Sequence, residues 1–131
     1  MNIIQAVDIF KTEDGKNIQL DIFRSNGQVL LQVYRLSDVK EWGLIDTSNE
    51  EGYLIELTFN KSKTSNRNNK ERFMFSEYKE KFHRFDKIPE DSYFYFVPKQ
   101  IDSTEFSNLI MKLIKDVYDD VEEVTFSVNE Y

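Results

Sequence analysis

The nine residues 116–124, DVYDDVEEV, contain five carboxylates: Asp116, Asp119, Asp120, Glu122 and Glu123. Carboxylates at that density can hold a cation, share a proton, or present a negative surface to a positive partner. A calcium loop needs regularly spaced oxygen ligands around a central glycine, and the run has neither. The residues before it, Phe106, Leu109, Ile110, Leu113 and Val117, form an apolar stripe that predicts a helix over about 103–118, capped by Asp102 with Glu105 at the third helical position. That helix would finish on negative charge, where its own dipole is already negative and each carboxylate costs about 0.3–1 kcal/mol. Lys112 with Asp116 and Lys115 with Asp119 stand four residues apart and offset part of the cost. A solvated connection to the next element would tolerate such residues. The functional alternative is that all five face a basic partner.

Other chemistry is sparse. His83 is the only histidine and lies beside Arg84 in a charged segment with no recognisable nucleophile or orienting acid, so no catalytic residue is assigned. The absence of cysteine removes disulfides and thiolate ligands, and one histidine does not make a zinc site. Gly15, Gly27, Gly43 and Gly52 are isolated, which excludes phosphate-cradling glycine loops. No cofactor is expected. The best enzymatic suggestion is a carboxylate pair, Asp8 and Asp21, which a hairpin closed at Asp14-Gly15 would set opposite each other with Gln32 on the next strand. Such a pair could bind a divalent cation or share a proton; an exposed sheet face with no special role is the alternative.

The elements that position these residues follow from periodicity and turns. Asp14-Gly15 and Asn26-Gly27 predict a three-stranded N-terminal meander, with Ile9 opposite Leu20, Val7 opposite Ile22, Leu20 opposite Val33 and Ile22 opposite Leu31. Its other face would carry Ala6, Phe10, Phe23, Leu30 and Tyr34 beside Asp8, Gln19, Asp21 and Gln32. After a short helical turn at about 39–42, the alternation in YLIELTF predicts a fourth strand, and the polar stretch at about 60–71 a mobile loop. RFMF reads as a strand, SEYKEKFHRFDK as a helix over about 77–86, SYFYFV as a strand and VTFSV as a C-terminal strand. The expected fold is α+β: a single domain over 1–131, with one antiparallel sheet and two helices packed on it.

Charge and composition bound the function. Residues 60–87 hold nine basic and four acidic residues, a local +5 within a chain of net charge −7, so the remainder carries −12. An acidic surface repels phosphates and argues against direct nucleic-acid binding. The 11 Phe, 7 Tyr and 1 Trp are expected mainly in the core. No export signal and no membrane-length apolar run is present, so the expected location is the cytoplasm. The resulting expectation is a non-catalytic protein-binding domain. Its size and charge resemble those of bacterial immunity or antitoxin-type inhibitors, which neutralise a basic toxin such as a nuclease. The alternatives are a small metal-binding domain or hydrolase using Asp8 and Asp21, and an adaptor docking through Phe23, Leu30 and Tyr34.

Overall fold

The computed structural model describes residues 1–47, 50–59, 64–118 and 123–131, with side chains left out at 64–67. It is an α+β fold around one five-stranded antiparallel sheet in the order β4-β3-β2-β1-β5. The strands are β1 (Ile18–Arg24), β2 (Val29–Arg35), β3 (Gly52–Thr58), β4 (Ser92–Pro98) and β5 (Val124–Glu130), and the helices are α1 (Ile3–Thr12), α2 (Leu36–Trp42), α3 (Thr64–Met74) and α4 (Ser103–Val117). No helix among the described residues is long and apolar enough to cross a membrane.

The hairpin at Asn26-Gly27 forms in the expected register, Leu20 opposite Val33 and Ile22 opposite Leu31. A bulge after Ile22 then pairs Phe23 with Val29, so the connection is a three-residue loop closed between Arg24 and Gln28. The consecutive strands β1, β2 and β3 make the meander, but its expected first member is a helix. Asn2 and Gln5 form a reciprocal capping box, and Ala6, Val7 and Phe10 are buried at i, i+1 and i+4. Ile9, placed in the core by the strand reading, is 39% exposed.

Two further expectations are corrected. The segment read as a polar loop over 60–71 followed by a strand holds α3 from Thr64, while residues 60–63 lie outside the described ones. Phe73 anchors this otherwise polar helix in an aromatic cluster with Phe59, Phe82 and Tyr93, burial worth about 2–3 kcal/mol. Over 77–86 only a single 3-10 turn forms, Lys79–Lys81. Its successor Phe82 is extended, and His83 exchanges two backbone hydrogen bonds with Phe94 of β4, so the chain spends its amides on the sheet edge.

The sheet has two covered faces. On one, α1, α3 and α4 bury Val7, Phe10, Phe73, Phe106 and Ile110 against Leu20, Ile22, Val33 and Ile55. On the other, α2 and the segment around 85–88 pack Leu36, Val39, Phe85 and Ile88 against Tyr34, Leu54 and Phe94.

Candidate functional site

Helix α4 begins where Asp102 accepts a hydrogen bond from the Glu105 amide at 2.8 Å, an interaction that holds the Asp102 carboxyl below its usual range. It ends at Tyr118, which turns into extended backbone and donates its hydroxyl to the Leu30 carbonyl inside the core. The acidic run starts one residue before the helix stops.

Asp116 is half-buried and accepts a hydrogen bond from the Tyr78 hydroxyl at 2.7 Å. Burial, then that bond to Asp116, pushes the Tyr78 phenol up to about 12. The contact gives a local reason for a carboxylate in the last helical turn: a fixed donor from a neighbouring segment partly satisfies it. Lys112 does not pair with Asp116 as its spacing suggested. Its ammonium reaches Glu77 at 2.9 Å and lies 5.7 Å from the centre of the Tyr78 ring. That hydrogen bond lowers the Glu77 carboxyl and raises the Lys112 ammonium from their ordinary values. Glu123 is exposed just before β5, and Asp119, Asp120 and Glu122 lie outside the described residues.

Beside this helix end is a residue that the sequence reading missed. Phe75 is 91% exposed, in the corner between α3 and the 3-10 turn, three residues before Tyr78. Read as a strand, RFMF would place Phe73 and Phe75 on one face. Because α3 ends at Met74, Phe73 is instead buried and Phe75 points to solvent. No sequence signal marks it, because its place beside this helix end is set by the fold alone.

The carboxylate pair is not formed. Asp8 is exposed on α1, where it accepts a hydrogen bond from Ser103, and Asp21 is on β1, on the face away from α1. The pairing failed because it required residues 3–12 to be a strand. Asp21 does sit opposite Gln32, as expected. Its oxygens accept from Gln19 at 2.8 and 3.0 Å, Gln32 at 2.9 Å and Asn129 at 3.3 Å. Next to it the Tyr34 hydroxyl donates to Glu56 at 2.7 Å. Asp21 is only 7% exposed, and its oxygens are solvated by side-chain amides. Among the described residues, no group of three or more His, Cys, Asp or Glu side chains converges as a metal site.

Removing the Asp21 acceptor leaves these amides facing an empty position. Asp21→Ala is expected to destabilise the fold by about 2–4 kcal/mol in urea unfolding, since each stranded donor costs about 1–3 kcal/mol when water cannot reach it. A loss below about 0.5 kcal/mol would mean that water replaces the carboxylate freely.

The residues proposed for adaptor docking are mostly covered: Leu30 and Tyr34 are buried and Phe23 half-buried. His83 is exposed and its ring lies tilted 5.4 Å from the Phe96 ring, with no hydrogen bond to its imidazole among the described residues.

Comparison with known proteins adds no assignment. No family model, curated protein or solved structure matches the chain. The candidate site therefore rests on its own geometry: an exposed phenylalanine beside a helix end that carries a hydrogen-bonded aspartate.

Proposed function

We propose that the chain is a non-catalytic protein-binding domain that engages a basic partner through the end of α4 and the adjoining corner at Phe75. The observation that carries this reading is the 91% exposure of Phe75 beside the Tyr78–Asp116 contact. A bare phenyl ring on a surface holds water unfavourably and gains about 1.5–3 kcal/mol when a partner covers it. Aromatic anchors of this kind carry much of the energy in protein interfaces, while surrounding charge speeds encounter and rejects wrong partners. The five carboxylates Asp116, Asp119, Asp120, Glu122 and Glu123 supply that charge.

The finer form of the proposal is an immunity or antitoxin-type inhibitor that masks the phosphate-binding groove of a toxin nuclease. The chain's net charge of −7 suits such a groove, which is positive by function. Capture from a lysate of the native host at low salt tests both levels. The wild-type chain should retain a basic protein that elutes with salt and whose nuclease activity the chain blocks. Phe75→Ala, or replacement of the five carboxylates by Asn and Gln, should weaken that inhibition about tenfold or more. Equal inhibition by all three proteins would remove the site. Retention of a basic partner without any loss of its activity would leave the binding domain and remove the inhibitor.

A further inference from the structure

A second charged feature lies at the opposite end of α4. A cavity of about 330 Å³ opens between α1, the start of α2 and the β3–β4 edge, lined by Lys11, Arg35, Lys40 and Lys99 with Glu51 as the single acid. Its walls thus carry a local charge of +3 within a chain of net charge −7. Tyr53 gives it an apolar side and Ser37 adds a hydroxyl, while Leu36 borders it but is only 1% exposed.

None of these four cations takes part in an ion pair among the described residues. Arg35 is half-buried and donates only to backbone carbonyls, to Phe10 at 2.6 and 3.0 Å, Glu13 at 2.6 Å and, more loosely, Gly15 at 3.4 Å. It ties down the C-terminal end of α1 with its full charge still uncompensated by a carboxylate. Lys11 donates to the Ile101 carbonyl at 2.8 Å and reaches far enough to help lower Asp102. The ammonium groups of Lys40 and Lys99 make no hydrogen bond and no ion pair among the described residues. Four like charges held around one cavity repel each other, and an anion between them relieves that repulsion.

We propose that this cavity is a binding site for a small phosphorylated ligand. A net charge of +3 is better matched by the several charges of a phosphomonoester or diphosphate than by one carboxylate. The volume lies within the range of small-molecule pockets, and the half-buried Tyr53 ring offers an apolar surface to an organic body attached to the phosphate. The site is independent of the protein-binding surface. α4, about 22 Å long for its 15 residues, separates the two.

Titration with inorganic phosphate, pyrophosphate and citrate at constant ionic strength, followed by the amide NMR shifts of Ser37 and Gly52, tests the assignment. Saturable one-site shifts are expected, with pyrophosphate bound more tightly than phosphate or citrate. The double variant Lys40→Gln, Lys99→Gln changes two exposed side chains that make no ion pair among the described residues, so its melting temperature should match that of the wild type. Its affinity for pyrophosphate should fall about fivefold or more. Shifts that rise without saturating, equal affinity in the double variant, or citrate binding as tightly as pyrophosphate would each overturn the proposal.

Discussion

Between pH 10 and 12 the protein is expected to lose a large part of its stability. Tyr34 and Tyr118 are buried, 7% and 3% exposed, and both phenols are pushed far above their ordinary value of 10.0, chiefly by burial and for Tyr34 also by the Glu56 carboxylate. The unfolded chain releases these protons near pH 10 while the folded chain keeps them. Their contribution is therefore complete below pH 10 and falls as pH rises towards the folded values. Each buried tyrosine removes about 1.4 kcal/mol per pH unit, so the pair removes about 3 kcal/mol per unit in this window. Tyr78 and Tyr131, both raised to about 12, act in the same direction, Tyr131 weakly because it is 45% exposed. Against a typical total of about 5–15 kcal/mol, a loss of about 6 kcal/mol across the two units removes a large share of it. Urea unfolding at pH 9 and pH 11, with phenolate absorbance recorded alongside, checks it. A native protein that ionises all its tyrosines near pH 10 without losing structure would contradict the burial of Tyr34 and Tyr118.

Gly52→Ala is expected to cost more than any other single glycine replacement described here. Gly52 opens β3 opposite Pro98 with φ of +121°, and a Cβ there would lie 2.2 Å from the Val97 carbonyl oxygen and 2.6 Å from the Lys99 amide nitrogen. Those neighbours are backbone in a paired edge and cannot swing aside as a flexible side chain would. Gly15 provides the control, because its φ of +113° is nearly the same but a Cβ there meets nothing within 4 Å. Gly15→Ala should therefore report backbone strain alone, about 1–2 kcal/mol, while Gly52→Ala adds the clash and reaches about 3 kcal/mol or more. Equal losses in chemical denaturation would show that the β3–β4 end shifts freely to admit a methyl group.

Elements with one dominant period were legible in the sequence. α4 announced itself through Asp102 and the stripe from Phe106 to Val117, β3 and β5 through alternation, and β4 through its run of aromatic residues before Pro98. The β1–β2 register followed from Asn26-Gly27, although the bulge beyond Ile22 did not, since a bulge answers to sheet twist rather than to residue type. α1 satisfied two periods at once: Val7 and Ile9 alternate, while Ile3, Ala6, Val7 and Phe10 follow a helix, and the Asn2/Gln5 capping box decided between them. Tyr78, Phe82 and Phe85 had helical spacing, yet Phe82 joins the core on one side of the sheet and Phe85 the cluster on the other. At the candidate site the charge of 116–124 was visible in composition. The exposure of Phe75 and the Tyr78–Asp116 bond were not, because both depend on where α3 stops. The basic cavity escaped notice for a related reason: Lys11, the Arg35–Lys40 segment and Lys99 are far apart in the chain and are brought together only by the fold.

The strand order has a consequence for how the protein is made. β5 comes last in the chain yet pairs with β1, the first strand, setting Ile18 opposite Glu130 and Arg24 opposite Val124. On the ribosome, β1 must wait with one row of amides and carbonyls open until every other strand has been synthesised. Helix α1, which packs against both β1 and β5, waits with it. Closure of that edge is a non-local and therefore slow event, and the nascent chain presents a strand that other chains can pair with until it occurs. After release from the ribosome, a pulse-labelled chain truncated before residue 124 should be held by chaperones, and one that includes β5 released from them.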